Sequence, residues 1–500
     1  MSKIEMKNIS FAYDGQAKLF ENVSQVIDTS WHLGLVGRNG RGKTTLFKLL
    51  QNQLPYQGSL TCEVAVQYFP QQVTHPEQTV LTMLEQTVAP EHLWEVEREM
   101  QQLGLDVDHI EAQVYQTLSG GEQTKVLLAL VFANSDDFIL LDEPTNHLDA
   151  KTRQQVAQYL QHKQGFIVVS HNRQFLDQTT DHTLSIEKTQ LKRYNGSFSV
   201  YETEKQARDM HELATKQKLQ REIKQLDQAA KQKAGWSDQR EKSLTAKPSQ
   251  VGGKNHGDKG FESARAARTM KKAKQIERHA QQALDDKQAL LQDTEFVETL
   301  TMAVETPRKA PVVEVHQIQL GYQGQPLFEP ASFKVERGDI IGLTGDNGVG
   351  KSSLLQALQG TFTGQVTGTV QIAGNPTISQ VRQTTQYLHG SLQEFSEANA
   401  VDEQALLSML HKLGLERRAF TLPIEQMSRG QQKRVELAQA LVKPAELYLW
   451  DEPLNYLDVF NQSQIEKVIR MFEPTMIVVE HDQTFLENIQ ARCVPLQAVD

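Results

Sequence analysis

Gly37-Arg38-Asn39-Gly40-Arg41-Gly42-Lys43-Thr44 is the most informative stretch of the chain. It follows a short apolar run, Trp31 to Val36, which reads as a strand, and it leads into Thr45 to Leu50, which reads as a helix. A Gly-x-x-x-x-Gly-Lys-Ser/Thr turn between strand and helix is a phosphate-binding loop: its glycines let backbone N–H groups converge on phosphate oxygens at a helix N-terminus. Lys43 is then placed to reach the β- and γ-phosphates, and Thr44 to ligate magnesium, with Thr45 beside it.

The same pattern recurs 308 residues later as Gly345-Asp346-Asn347-Gly348-Val349-Gly350-Lys351-Ser352, with Ser353 next. Leu141-Asp142-Glu143-Pro144-Thr145-Asn146-His147-Leu148-Asp149 recurs as Trp450-Asp451-Glu452-Pro453-Leu454-Asn455-Tyr456-Leu457-Asp458. Val-Val-Ser-His ending at His171 matches Val-Val-Glu-His ending at His481. Three motifs in one order at nearly constant offset mean a tandem copy of one domain. Short apolar runs such as Phe138 to Leu141 and Phe166 to Val169 suit buried parallel strands, so each copy is α/β. The expected organisation is a first domain at 1–201, a linker at 202–304 and a second domain at 305–500.

The linker differs in kind. Neither Gly nor Pro occurs from Ser197 to Ala234 or from Phe261 to Leu300, which predicts two long helices. Pro248, Gly252, Gly253, Gly257 and Gly260 fall between them, giving a helical hairpin with a flexible tip near 236–261. A solvated coiled-coil spacer is the plainer reading of such a segment, and charge argues against it. The chain as a whole carries −10, yet residues 216–278 hold 17 Lys and Arg against seven Asp and Glu, leaving −20 for the rest. A basic arm on acidic domains is the footprint of a contact with a nucleic-acid backbone confined to one element.

Other composition limits are brief. No apolar run approaches the roughly 18 residues of a membrane span, and Met1 to Met6 carries charge instead of a signal-peptide core. Cys62 and Cys493, far apart, argue against a disulfide framework or a cysteine zinc site. A cytoplasmic protein without a membrane partner is expected.

Asp142 and Asp451 end apolar strands and suit a magnesium-organising carboxylate; Glu143 and Glu452 follow directly, where a carboxylate can accept a proton from an attacking water. Leu118-Ser119-Gly120-Gly121-Glu122-Gln123 completes the set. Together with the two phosphate loops and His171 it resembles the signature of ATP-binding cassette (ABC) proteins, and both domains follow that family's order. The resemblance implies two cassettes paired head to tail within a monomer, ATP and Mg2+ as ligands, and a signature from one cassette capping the γ-phosphate held by the other. It makes Gly37, Asn39, Gly40, Gly42, Gly345, Asn347, Gly348 and Gly350 phosphate-loop residues. Ser119, Gly120, Gly121 and Glu122 become capping residues, as do Ser428, Gly430 and Gln431. Gln71 and Gln383 fit the family's metal- and water-sensing glutamines, giving metal sets Thr44, Gln71, Asp142 and Ser352, Gln383, Asp451. His171 and His481 fit the catalytic histidine, and Tyr13 and Tyr322 the adenine-stacking aromatic. The second signature departs from the pattern, with Arg429 where a glycine is usual, which implies two unequal sites.

Two cassettes, a charged helical linker and Tyr194-Asn195-Gly196-Ser197-Phe198-Ser199-Val200-Tyr201-Glu202 at the linker entrance resemble the ABC-F translation ATPases. The altered second signature and the Trp450 to Asp458 stretch resemble the Lsa-type antibiotic-resistance branch. The resemblance implies binding at the ribosomal exit-tRNA site, contact of the linker with large-subunit rRNA and peptidyl-tRNA near the peptidyl-transferase centre, and protection from lincosamides, streptogramin A compounds and pleuromutilins. A housekeeping ABC-F translation factor and, more remotely, the ATPase subunit of a membrane exporter stay open at this point.

Overall fold

The computed structural model describes residues 2–134, 137–146, 148–211, 214, 215, 218, 221, 224 and 299–499. The chain divides into two compact units, Met1–Tyr201 with Glu298–Asp500, and Glu202–Val297. In the second unit residues 202–211 are helical. Most of the hairpin expected at 202–304, including its tip near 236–261, lies outside the described residues.

The first unit holds both cassettes. In the first, six strands run in the order Val66–Phe69, Phe138–Asp142, Phe166–Val169, His32–Gly37, His182–Glu187, Gln190–Asn195. All neighbours are parallel except the last pair, an antiparallel hairpin. Phe138–Asp142 and Phe166–Val169 are covered on both faces, which is why they are apolar without alternation. A separate antiparallel sheet, Phe20–Asp28 beside Lys3–Phe11 beside Gln57–Cys62, buries only alternate residues such as Ile4 and Met6.

The second cassette repeats the plan with five parallel strands: Ile378–Val381, Leu447–Asp451, Met476–Val479, Ile340–Thr344, Arg492–Pro495. Trp450 takes the place of Leu141 and is fully buried, a side chain worth about 1.5–3 kcal/mol of hydrophobic stabilisation at the usual transfer values. In both cassettes the phosphate-loop strand and the strand ending in Asp-Glu flank the strand that leads to the histidine. Register pairs Asp142 with Val169 and Asp451 with Val479. The chemistry-bearing residues thus gather at the carboxyl ends of parallel strands, where the helices that follow leave N–H groups unpaired.

At the linker entrance, Tyr201 is buried against Phe198 and Tyr194, and its hydroxyl lies 3.1 Å from Ser185 Oγ. The aromatic stretch therefore anchors the end of the first cassette to its own sheet.

Candidate active site

Each phosphate loop is shaped by glycines in left-handed conformation. Gly42 (φ 96°) and Gly350 (φ 102°) precede the helices Lys43–Leu50 and Lys351–Leu358, and Gly40 and Gly348 share positive φ. A Cβ on Gly42 would come within 3.1 Å of the Phe20 ring. Lys43 Nζ folds back to donate to Gly37 O (2.8 Å) and Asn39 Oδ1 (3.1 Å), and Lys351 Nζ to Gly345 O (2.9 Å) and Asp346 O (2.8 Å). Burial lowers the pKa of both ammonium groups, nearby carboxylates opposing it.

Thr44 Oγ1 donates to Asp142 Oδ2 at 2.9 Å, and Ser352 stands beside Asp451, where its hydroxyl acts to lower that carboxyl's pKa. A hydroxyl and a carboxylate side by side, facing a loop that gathers phosphate oxygens, form the oxygen donor set a magnesium ion takes. Asp451 Oδ1 is buried without a hydrogen-bond partner, and burial pushes this carboxyl up to about 6, as fits a group awaiting a cation. The described residues contain no cluster of three or more His, Cys, Asp or Glu able to hold a metal unaided.

Glu143 and Glu452 sit in left-handed backbone (φ 54° and 47°), a conformation that costs energy for a non-glycine residue. Backbone bonds from Glu143 N to Val169 O (2.9 Å) and from Glu452 N to Val479 O (3.0 Å) hold it in place. His171 Nε2 lies 3.0 Å from Glu143 Oε1, and His481 Nε2 lies 3.8 Å from Glu452 Oε1. Neither Glu143 oxygen makes an aligned hydrogen bond; burial drives the carboxyl up to about 8 and the His171 imidazole well down, so both are held toward their neutral forms. Burial lowers the His481 pKa too.

The two sites differ in how they are covered. The first loop is engaged by the second cassette: Asn39 N donates to Asp458 Oδ2 at 2.7 Å and Asn39 Nδ2 to Tyr456 O at 3.1 Å. Gly430 of the altered signature borders the same loop, since a Cβ built on it would stand 4.0 Å from Asn39 Nδ2. Close by, Arg173 reaches across to Glu466 Oε1 (3.1 Å) and Ser463 Oγ (2.9 Å) on the helix Val459–Phe472. Beside the second loop a cavity of about 490 Å³ lies open, lined by Lys351, Ser352, Gln383 and Glu452 and, from the first cassette, by Asn146 and Arg153 and also by Glu143 and His171.

The signature serines cap their own helices. Ser119 and Glu122 form a reciprocal capping box at Gly120–Phe132, and Ser428 and Gln431 do so at Arg429–Val442. Ser119, Gly120, Gly121 and Glu122 do not line the cavity at the second loop, whereas Thr145, Asn146 and Leu148 of the same cassette do. Gln383 Nε2 donates to Glu452 Oε1 (3.2 Å), while half-buried Gln71 makes no hydrogen bond among the described residues. A second hydroxyl beside Asp142, besides that of Thr44, comes from Tyr68, which donates to Oδ2 at 3.0 Å. Tyr13 meets Thr45 Oγ1 at 3.2 Å; Tyr322 is exposed against Phe362. Sequence reasoning passed over Tyr68, Asp458, Arg173 and Glu466. For Asp458 a signal existed, as the last residue of a repeated motif placed before a helix.

Two phosphate loops, each with a strand-end Asp-Glu pair and a histidine, and one of them covered by the opposite domain, define a tandem P-loop nucleotide hydrolase. Residues 20–146 and 328–455 match the ABC transporter family. The chain is 27% identical over 492 residues to the ribosome protection protein VmlR of Bacillus subtilis, across 97% of this chain and 85% of that one. It is 25% identical over 536 residues to the energy-dependent translational throttle protein EttA of Mycobacterium tuberculosis, across 97% and 89%. Among solved structures, an RNase-L inhibitor superposes with a TM-score of 0.58 at 19% identity, covering 99% of this chain and 91% of that one. An assembly of ribosome-bound archaeal Pelota and ABCE1 gives 0.59 at 19% identity, covering 98% and 78%. The chain belongs to the ABC transporter family, as an ATP-hydrolysing member of its ABC-F branch. No helix among the described residues is long and apolar enough to cross a membrane.

Proposed function

We propose that this chain is a ribosome protection ATPase. With ATP in both sites the cassettes close, because a nucleotide gripped by two domains favours the closed state. Closure fits the chain to the exit-tRNA site and directs the linker toward the peptidyl-transferase centre, where rearranged rRNA or peptidyl-tRNA displaces lincosamide, streptogramin A and pleuromutilin antibiotics. Hydrolysis reopens the clamp for release. The observation that carries this reading is the similarity to a ribosome protection protein along nearly the whole chain, linker included. The basic balance of residues 216–278 supports a phosphate-backbone partner for that segment.

Within each site, Lys43 and Lys351 bind the β- and γ-phosphates, with loop N–H groups around them. Glu143 and Glu452 accept the proton of the attacking water, and His171 and His481 contact the γ-phosphate. Thr44, Asp142 and Gln71, and Ser352, Asp451 and Gln383, would hold Mg2+, which supplies charge neutralisation at the phosphates.

A second reading, a translation factor acting on stalled ribosomes without drug, draws on the similarity to the translational throttle protein. Co-sedimentation of the Glu143→Gln/Glu452→Gln variant with ribosomes in ATP tests the partner; fractionation with membranes instead would overturn both readings. Expression in a drug-sensitive Gram-positive host separates them. Reduced lincomycin and tiamulin susceptibility supports protection, and unchanged susceptibility supports the second reading.

A further inference from the structure

Gln71 and Gln383 follow equivalent strands, Val66–Phe69 and Ile378–Val381, but the residue between strand and glutamine differs: Pro70 in the first cassette, Arg382 in the second. Proline has no N–H to place. Arg382 has one, which donates to Glu436 Oε1 at 2.6 Å, while Arg382 O accepts from Lys433 Nζ at 2.6 Å. Both captors are fully buried on the helix Arg429–Val442, with Nζ and Glu436 Oε2 3.1 Å apart. Tyr387 closes the arrangement: its hydroxyl donates to the same Glu436 Oε1, and its ring centroid lies 4.3 Å from the Arg382 guanidinium carbon. Two residues past Gln383, Thr385 Oγ1 donates to Gln432 Oε1 of that helix at 2.7 Å.

The other cassette serves as an internal control. Counting from Ser119 and Ser428, Thr124 and Leu127 hold the places of Lys433 and Glu436. Leu127 offers no acceptor, and Thr124 Oγ1 bonds back to Gly120 O at 2.9 Å. The glutamines and the carboxylates they face differ accordingly. Gln383 Nε2 donates to Glu452 Oε1 at 3.2 Å, and Asn455 Nδ2 holds the other oxygen. Gln71 makes no hydrogen bond among the described residues, and neither Glu143 oxygen has an aligned one. Stability does not explain the charged pair, because an apolar replacement for a buried ion pair is often as stable or more so. Thr124 and Leu127 show that the same kind of helix forms without it.

We propose that Lys433 and Glu436 are positioning residues of the second active site. Gripping Arg382 by both its N–H and its C=O, they fix the backbone just before Gln383, so that the Gln383 amide orients the Glu452 carboxylate toward the attacking water. Neither residue touches nucleotide; each acts through Gln383. The assignment rests on the reading of Glu452 as the base and is independent of which macromolecule the chain works on.

Steady-state ATP turnover of the full chain carrying Glu143→Gln, in which the second site supplies the remaining hydrolysis, tests it. Lys433→Thr/Glu436→Leu installs the first cassette's residues and leaves no charge unpaired. It should lower kcat about tenfold or more, the scale of a slightly misplaced catalytic group, with KM for ATP unchanged. Glu436→Gln keeps an acceptor for the Arg382 N–H and should recover most of the loss. In a Gln383→Ala background the paired change should cost nothing further, since residues acting through one another are not additive. Arg382→Pro removes the same N–H with the buried pair intact, and reads the same loss and the same cycle should the apolar pair fail to fold. Glu452→Gln in this background reports on the base alone: retained turnover there overturns that reading. The positioning role is overturned by undiminished kcat in the paired variant or in Arg382→Pro, by a change confined to KM, or by the full loss recurring on top of Gln383→Ala.

Discussion

The backbone N–H of Asn39 donates a 2.7 Å hydrogen bond to Oδ2 of Asp458, 419 residues further along the chain. The same carboxylate caps the helix Val459–Phe472 through Asn461 N at 2.9 Å. One side chain thus fastens the start of a second-cassette helix to the first phosphate loop. Its counterpart Asp149 caps its own helix through Thr152 N at 2.7 Å, and Asn347 makes no hydrogen bond to it among the described residues.

That asymmetry predicts unequal costs for one substitution. Asp149→Ala should lose a helix cap, about 1 kcal/mol. Asp458→Ala also strands the buried Arg434 guanidinium and should cost about 3 kcal/mol or more. Thermal unfolding without nucleotide reads the difference, and equal shifts in melting temperature would count against a fastening role.

Arg173 and Glu466 form a buried ion pair between cassettes. Removing either partner alone leaves an uncompensated charge and should cost about 3–5 kcal/mol, while the paired change Arg173→Met/Glu466→Leu should cost far less than the sum. A double-mutant cycle on unfolding decides; strictly additive losses would mean the pair contributes nothing as a pair.

If Glu143 and Glu452 each activate water, the double Gln variant should lose at least about 100-fold in ATP turnover. Single-turnover phosphate release from Glu143→Gln and Glu452→Gln should show different residual rates, because the first loop is bonded to the opposite cassette through Asn39 and Asp458 and the second loop has no such bond among the described residues. Identical residual rates would contradict two unequal sites.

Burial pushes Glu480 up to about 7 from an ordinary 4.5; the His481 and Leu454 N–H groups oppose that, and Asp482 and Glu452 reinforce it. Between these values the folded chain holds a proton that the unfolded chain has lost, so stability falls as pH rises, by about 3 kcal/mol in all. Glu480→Gln is expected to shrink the drop in melting temperature between pH 5 and pH 8. Glu143 has the same sign and stays in the variant, so part of the slope remains. A slope as steep as that of the unmodified chain would rule out Glu480 as its source.

Much of the site is legible in the sequence because it is local. A glycine pattern between an apolar strand and a helix dictates a phosphate loop whatever surrounds it, and repetition of three motifs in one order makes the reading unambiguous. The Ser-x-x-Glu and Ser-x-x-Gln stretches likewise encode helix caps in four residues. Tyr68 illustrates the opposite case. Its second-cassette counterpart in the strand Ile378–Val381 is Gln380, and nothing adjacent in sequence says that its hydroxyl meets Asp142.

Residue type and short spacing suffice for the α/β class, the duplication, the two loops and the separation of charge between cassettes and linker. Which loop is covered and which stands open is settled by packing. Asn39 with Asp458 and Arg173 with Glu466 are contacts between residues hundreds of positions apart, and their burial sets the cost of breaking them. Spacing along a chain carries no record of such distances; packing the two cassettes against each other creates them.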